Sequence, residues 1–151
     1  MLMIITDRMD LANMLAIDPG NDKTGIALLS QEGLLVARAI IKTVSFDQEV
    51  SKVLAMCPGI ESVVCGNGTN HRRLYPQVQA LAKSRNLPCY LADEAHTTEE
   101  AKKLYWVLHP PKGLKRLLPK GMLVPPEPVD DITAYVIGKR WLAHERTREK
   151  E

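Results

Sequence analysis

The sequence predicts an α/β domain with a mixed sheet and helices on both faces. Three apolar, β-branched runs joined by short turns open the chain, which indicates an antiparallel meander of three strands. Short apolar runs then alternate with segments of helical period, which indicates two further strands in parallel orientation. The length of 151 residues and the 45% hydrophobic content suit one domain with a substantial core. We therefore predict a single five-stranded sheet.

The meander occupies the first third of the chain. An apolar run over 14–17 ends at Asp18, a turn follows, and two more runs cover 24–30 and 34–41. The connection at 31–33 ends in a glycine, which suits the positive φ that a hairpin turn requires. Asp18 is therefore expected at the tip of a buried strand.

Helices and strands alternate over the remainder. Periodicity predicts helices over 46–56, 72–85, 98–108 and 129–144, and strands over 60–65 and 87–91. Six prolines and two glycines between Pro110 and Pro128 predict a long loop before the last helix. We divide the chain into an N-terminal extension (1–13), the α/β domain (14–144) and a charged tail (145–151).

Composition narrows the class of protein. Lys and Arg number 20 against 18 Asp and Glu, so net charge neither requires nor excludes a nucleic-acid partner. The three cysteines form neither an even disulfide framework nor a closely spaced zinc motif, which favours a reducing cytoplasm. No apolar run approaches the ~20 residues that span a bilayer. We expect a cytoplasmic protein with no membrane partner.

Acidic residues follow two predicted strands and open the last helix. They are Asp18, the pair Asp93 and Glu94, and the pair Asp130 and Asp131. The carboxyl ends of parallel strands share one crevice, so these carboxylates can converge. Converging negative charges are unfavourable unless a cation neutralises them, and carboxylate oxygens without a His or Cys cluster favour Mg²⁺ or Mn²⁺.

Simpler explanations exist for each acid. Asp18 can bond the amides of its turn, and Asp130 and Asp131 suit the positive end of the helix dipole. If the acids do converge, two divalent ions roughly 4 Å apart would clamp the attacking and leaving oxygens of a phosphodiester. The pattern therefore predicts a metal-dependent nuclease, or else a nucleic-acid-binding module whose acids need not converge.

Two features predict contacts with nucleic acid. The loop 66–69, between a strand and a helix, can cradle a phosphate with its amides, although a plain tight turn has the same pattern. No acid occurs between Ala101 and Pro126, where lysines and an arginine form either a phosphate-binding surface or a solvated loop. The predicted nucleic-acid-binding residues are Lys23, Asn67, Thr69, Arg72, Arg73, Lys112, Lys115, Arg116 and Lys120.

Some histidines and aromatic residues have two interpretations. His71 and His96 adjoin the predicted site loops and can serve as proton shuttles, but exposed loop histidines explain the pattern equally simply. Tyr105, Trp106 and Trp141 can stack on bases. For both tryptophans we expect core positions instead, because they lie at helical spacing among apolar neighbours.

The order of the motifs resembles that of the YqgF/RuvX family. The matching segments are 15–20 with 23–27, then 63–66, Asp93-Glu94 with 97–101, and 129–134. The resemblance implies the ribonuclease H-like fold and the activity of a Holliday junction resolvase or of a nuclease that processes the 5′ end of pre-16S ribosomal RNA. It also implies that Asp18, Glu94 and Asp130 are the metal-binding catalytic acids. We expect Asp131 to be a supporting or substitute ligand. A junction resolvase would further need two active sites and hence a homodimer.

Two segments depart from the family pattern. Ala95-His96 stands where the family usually continues its Asp-Glu pair with an arginine. The segment Gly66-Asn67-Gly68-Thr69 resembles the YqgF-like domain of the Tex transcription accessory proteins, which is thought to bind nucleic acid without a clear nuclease role. The alternative prediction is therefore a catalytically inactive nucleic-acid-binding or ribosome-assembly module on the same fold.

Overall fold

The computed structural model describes residues 3–5, 8–68, 70–119 and 123–149. Within these residues six strands form one sheet, in the order β1-β4-β3-β2-β5-β6. The strands are β1 (Met3–Ile5), β2 (Met14–Asp18), β3 (Lys23–Leu29), β4 (Leu35–Lys42), β5 (Ser62–Gly66) and β6 (Cys89–Ala92). The helices are α1 (Phe46–Met56), α2 (His71–Ser84), α3 (Thr97–Leu108) and α4 (Asp130–Glu149).

The five predicted strands and their directions are confirmed. β2, β3 and β4 form the antiparallel meander, and β5 and β6 continue the sheet parallel to β2. Since β2, β5 and β6 run in the same direction, their carboxyl ends lie side by side. They form the carboxyl edge of the sheet, which runs across the strands and is distinct from the edge strands β1 and β6. Asp18, Gly66 and Ala92 end these three strands, so Asp18 and the pair Asp93-Glu94, which follows Ala92, are brought to that edge.

A sixth strand comes from the segment predicted as an extension. β1 pairs antiparallel with β4, with Met3 opposite Ala39 and Ile5 opposite Ala37. The strand has only three residues, too few for a period-2 pattern to stand out in the sequence. Residues 3–5 therefore add an edge strand to the sheet.

The last helix runs further than predicted. α4 continues beyond residue 144 to Glu149, into the segment assigned to a charged tail. Arg148 forms an ion pair with Glu145 at 3.2 Å, and Arg146 donates a hydrogen bond to the Gln31 carbonyl at 3.0 Å. These contacts stabilise a last turn that hydrophobic periodicity alone does not indicate.

Alternating residues of the central strands supply two separate cores. On one face Leu15 and Ile17 pack with Ile26 against α1 and α2. Each such large aliphatic side chain contributes roughly 1.5–3 kcal/mol when fully buried. The members that α1 and α2 provide include Phe46, Val50, Val53, Leu74 and Val78.

The opposite face is built from smaller residues and holds α4 close to the sheet. Met14, Ala16 and Ala27 face Ala134 and Ile137 of α4. A β-carbon added to Gly138 would lie 2.8 Å from Leu29 and 3.1 Å from the Ala16 β-carbon. The small side chains therefore permit a short distance between helix and sheet, and helices cover both faces as predicted.

The proline-rich stretch after α3 behaves as a loop. Its described residues contain a 3-10 helix, Gly113–Leu117, but neither an α-helix nor a strand. Leu114 and Leu117 of that turn are 84% and 81% exposed.

The three cysteines carry free thiols. Across the described part of the chain, no helix is both long enough and apolar enough to cross a membrane.

Candidate active site

Asp18 lies at the carboxyl end of β2, half-buried at the edge where the parallel strands end. The turn that follows it is fixed from two sides. Thr43 donates a hydrogen bond to the Gly20 carbonyl at 2.9 Å, and the buried Asn70 donates to the same oxygen at 2.8 Å. Asn70, which the sequence did not indicate, thereby ties this turn to the start of α2.

The placement of Asp130 depends on a glycine in the neighbouring strand. Gly25 is the cross-strand partner of Asp18. A β-carbon at Gly25 would overlap the backbone carbonyl of Asp130, so β3 touches the first turn of α4 directly. Only a residue without a side chain permits this approach. Gly25 therefore brings the start of α4 to the strand end that carries Asp18.

Glu94 is placed by the loop that follows β5. β-carbons at Gly66 and Gly68 would both overlap its carboxylate, so the two glycines form a cradle around it. The Asn67 side-chain oxygen accepts a hydrogen bond from the Glu94 backbone amide at 3.1 Å. This loop, predicted to cradle a phosphate, thus encloses a carboxylate, and the Asn67 oxygen orients the backbone of Glu94.

The carboxyl groups of Asp18, Glu94 and Asp130 interact electrostatically at this edge of the sheet. Burial, followed by the negative charges of Glu94 and Asp130, raises the pKa of Asp18 from 3.8 to about 8. A hydrogen bond between the Asp18 and Glu94 side chains adds to this rise, which requires one of the two to be protonated. Burial also raises the pKa values of Glu94 and of Asp130. Ionisation of all three carboxyl groups is therefore unfavourable without a cation beside them.

The donor chemistry of these acids fits a divalent cation. Glu94 Oε2 is buried and has no hydrogen-bond partner among the described residues, a costly state for a carboxylate oxygen. Hard oxygen donors of raised pKa are what Mg²⁺ and Mn²⁺ would bind and neutralise. As the side chains lie, no three or more His, Cys, Asp or Glu residues of the described chain are grouped closely enough to hold a metal. Asp18 and Glu94 form the close pair, and coordination by all three acids requires a rotation of side chains.

Asp131 has different contacts from Asp130. Its Oδ2 accepts a hydrogen bond from Arg38 at 2.7 Å in a nearly buried ion pair, and its Oδ1 accepts from the Ile132 amide at 2.9 Å. Both oxygens of this predicted supporting ligand are therefore occupied by protein donors. Arg38 lies 93 residues away in the chain, so no local pattern indicates the pair.

Comparisons with known proteins agree with this fold. No family model matches the chain. A protein of Rickettsia conorii named "Putative pre-16S rRNA nuclease" is 33% identical over 102 residues, which cover 60% of this chain and 66% of that protein, just under two thirds of its length. The resemblance to the YqgF/RuvX family is confirmed.

Solved structures confirm the ribonuclease H-like fold. Thermus thermophilus RuvC matches with a TM-score of 0.60 and 17% identity, over 89% of this chain and 96% of its own. RuvC from the same organism in complex with a Holliday junction substrate matches with a TM-score of 0.58 and 15% identity, over 91% and 96% of the two chains. At these identities the likeness concerns the fold.

The predicted nucleic-acid contacts are distributed around the acids and the proline-rich loop. Lys23 is exposed, and its charge opposes the rise in the pKa of Asp130. Arg72 and Arg73 are exposed on the first turn of α2, directly after the loop that encloses Glu94. Lys112 and Arg116 are exposed in the proline-rich loop. Thr69, Lys120 and the Lys115 side chain lie outside what the structure describes.

Two histidines and one arginine border the acids. His71 Nδ1 lies 2.8 Å from the Gly68 carbonyl oxygen, and its charge lowers the pKa of Glu94 against the effect of burial. His96 is exposed and adopts a left-handed backbone with φ of 63°. Arg140 of α4 donates hydrogen bonds to the Ala95 carbonyl and to Glu100. The sequence did not indicate this cation, because it comes from a helix 45 residues further along the chain.

Proposed function

We propose that this domain is a metal-dependent endonuclease that hydrolyses phosphodiester bonds in structured nucleic acid. The observation that carries the proposal is the pairing of the half-buried Asp18 and Glu94 carboxyls beside the charge of Asp130. A fold seldom retains such a group for stability, since burial and mutual repulsion both oppose its ionisation. The Rickettsia relative is named as a nuclease, which supports the same activity.

Asp18, Glu94 and Asp130 are the residues that would hold one or two Mg²⁺ or Mn²⁺ ions. When bound, the ions would supply an activated water and stabilise the charge on the phosphodiester. The chain itself contributes the positions of these donors: Gly25 sets the start of α4, and Gly66 and Gly68 set the Glu94 carboxylate. Asp131 would act only by anchoring the first turn of α4.

Positive side chains beside the acids would position the nucleic-acid backbone. Lys23, Arg72 and Arg73 are exposed and adjoin the elements that carry the acids. Such contacts bind phosphates without reading bases and weaken as salt increases. We expect the exposed cations of the proline-rich loop, Lys112 and Arg116, to extend this surface.

Two substrates are compatible with the proposal. The sequence relative is named for precursor ribosomal RNA and one structural neighbour was solved with a Holliday junction. We favour the ribosomal RNA precursor, because the Rickettsia protein is 33% identical to this chain, whereas RuvC in the Holliday junction complex is 15% identical. Action on a four-way junction would require two sites and hence a homodimer, which sedimentation of the free protein measures.

The deciding experiment is cleavage of end-labelled precursor ribosomal RNA and of four-way junction DNA, each with Mn²⁺, Mg²⁺ or EDTA. We expect metal-dependent cleavage that Asp18→Asn lowers more than about 100-fold, since even the outer partners of metal ligands cost 10- to 100-fold. Asp22→Asn is the matched control, because it makes the same change at an exposed acid in the same turn. Cleavage that persists in EDTA or in Asp18→Asn would contradict the proposal.

A second candidate function is an inactive nucleic-acid-binding or ribosome-assembly module. The observation that favours it is the absence, within the described residues, of a ready group of three metal-ligating side chains. This candidate predicts binding of both nucleic acids with a steep salt dependence and no cleavage by the wild type. The same assay, run with a filter-binding measurement at several salt concentrations, separates the two functions.

A further inference from the structure

A pocket of about 410 Å³ opens between the end of β6 and the second half of α4. Its lining combines aromatic, charged and aliphatic side chains: Leu91, Ala92, Asp93, Arg140, Trp141 and His144. The volume is in the range of small-molecule sites and exceeds what a single nucleobase needs. Asp93 directly precedes Glu94, so the pocket and the candidate acids share the loop after β6.

Trp141 contributes its indole ring to the lining of this pocket. Its ring stacks on Tyr90 of β6 with centroids 4.8 Å apart and an interplanar angle of 27°, and the His144 ring lies 6.4 Å away. Both tryptophans were expected in the core. Trp106 is there, 8% exposed between α3 and α4, whereas Trp141 only borders the core and also lines the pocket.

The polar groups of the pocket are held in defined positions. Asp93 is exposed, and its Oδ1 accepts a hydrogen bond from the Ala95 amide at 3.0 Å. Among the described residues nothing bonds to Oδ2, which leaves an acceptor beside the aromatic surface. A carboxylate only accepts hydrogen bonds, so it selects ligands with N–H groups, such as the amino group and ring N–H of guanine. Arg140, which also lines the pocket, is held by its bonds to Ala95 and Glu100.

We infer that this pocket binds an unpaired nucleobase of the substrate strand, stacked on Trp141 and hydrogen-bonded through an amino group to Asp93. The inference rests on the proposed function, since it names a contact that the nuclease makes with its substrate. An aromatic platform gives stacking with any base, and the carboxylate gives a preference for bases that carry amino groups. Asp93 and Glu94 are consecutive, but Trp141 lies eleven residues beyond Asp130 on α4, a rise of about 16 Å. The stacked base would therefore belong to a nucleotide next to the one cleaved or further along the strand.

Tryptophan fluorescence tests the contact without any cleavage. Trp106→Phe leaves Trp141 as the sole tryptophan, and we expect the substitution to be tolerated because the buried Trp106 Nε1 has no partner in the described structure. In EDTA, 5′-GMP should quench the emission of this variant saturably, and ribose 5-phosphate should not. Trp141→Phe, which keeps only Trp106, is the matched control for absorption of light by the nucleotide. Equal quenching of the two variants, or equal effects of the two ligands, would overturn the inference.

Two further substitutions test the geometry of the contact. Asp93→Asn in the Trp106→Phe background should weaken 5′-GMP binding about tenfold, as expected for a lost charge-assisted hydrogen bond. Trp141→Leu should raise KM for the cleaved nucleic acid about tenfold while kcat changes less than about threefold. An unchanged KM together with a lowered melting temperature would assign Trp141 a structural role only and refute the inference.

The outcomes separate the two proposals. Base-dependent quenching in EDTA without any cleavage in Mn²⁺ would refute the nuclease and leave the base-binding pocket supported. Cleavage that depends on Asp18, with quenching that does not distinguish 5′-GMP from ribose 5-phosphate, would refute the pocket and leave the nuclease supported.

Discussion

Asp130 and Asp131 are neighbours in the first turn of α4, yet their carboxylates have different surroundings. Asp131 is bonded through both oxygens, to Arg38 and to its own helix backbone. Asp130 faces the edge of the sheet, where burial and the charge of Asp131 raise its pKa and Lys23 opposes the rise. Successive residues of a helix are rotated by about 100°, so one acid meets β4 while the other meets Asp18.

The same contrast separates two regions of the molecule. The Arg38–Asp131 pair is a satisfied ion pair that locks α4 onto the meander. The group formed by Asp18, Glu94 and Asp130 retains a buried oxygen without a described partner and pKa values shifted toward protonation. The comparison teaches that satisfied acids hold the fold together, and that the acids with functional potential are those whose oxygens the fold leaves unsatisfied.

The sharpest test of this comparison exchanges each neighbouring acid for its amide. Asp130→Asn should lower metal-dependent cleavage more than about 100-fold, because it would remove a ligand, and leave the free energy of unfolding nearly unchanged. Asp131→Asn should lower cleavage less than about tenfold and lower the free energy of unfolding by about 1–3 kcal/mol, because Arg38 would lose its partner. Cleavage rates and urea unfolding of both variants provide the measurement. Equal loss of cleavage in the two variants would mean that Asp131 also serves the reaction.

The glycine cradle provides a second way to break the site without changing an acid. A β-carbon at Gly68 overlaps the Glu94 carboxylate, so Gly68→Ala must move that side chain. We expect a loss of cleavage of about 100-fold, the effect of a misplacement of about 1 Å, with little change in far-ultraviolet circular dichroism. Gly113→Ala is the control: its β-carbon would meet open space, and only its φ of 64° resists the change. Full activity of Gly68→Ala would show that the position of Glu94 does not matter to the reaction.

How much of this was predictable depends on the distance in sequence over which each feature is encoded. The meander and the β5 and β6 strands follow from local apolar patterns, and with them the edge at which Asp18 and Glu94 lie. The strand β1 was missed, because three residues carry no usable period and its partner β4 lies more than 30 residues away. Pairings of that range depend on the folded sheet.

The sequence indicated the acidic residues of the site but not the residues that hold their surroundings in place. Strand ends followed by acids, together with the resemblance, marked the carboxylates. No local pattern marks Arg38 or Arg140, whose partners lie 93 and 45 residues away. The loop glycines were interpreted as a phosphate cradle because backbone amides and a close carboxylate both demand small residues. The three-dimensional structure shows the room that these glycines leave for the Glu94 carboxylate.

The ion pair itself can be broken from the other side. Arg38→Met should lower the free energy of unfolding by about 3 kcal/mol, because it leaves the nearly buried Asp131 carboxylate without a cation. The double variant Arg38→Met/Asp131→Leu should recover most of this loss, since two apolar side chains need no partner. Urea unfolding of Arg38→Met, Asp131→Leu and the double variant completes the double-mutant cycle. Additive losses in the double variant would mean that the pair is not coupled and that α4 is held by packing alone.

The smallest expected effect concerns the pH dependence of stability, which the raised pKa of Asp18 sets. Asp18 has a pKa of 3.8 in the reference state and about 8 when folded, so between these values the folded protein holds a proton that the unfolded chain has released. Stability of the metal-free protein should therefore fall as pH rises from about 4 to 8, by at least about 1 kcal/mol at pH 8. Asp18→Asn should reduce this slope, whereas Asp22→Asn should not. Melting temperatures in EDTA across this range provide the measurement, and added Mg²⁺ at pH 8 should raise the wild-type value more than that of Asp18→Asn. A slope identical in wild type and Asp18→Asn would mean that the Asp18 carboxyl ionises freely in the folded state and needs no cation to neutralise it.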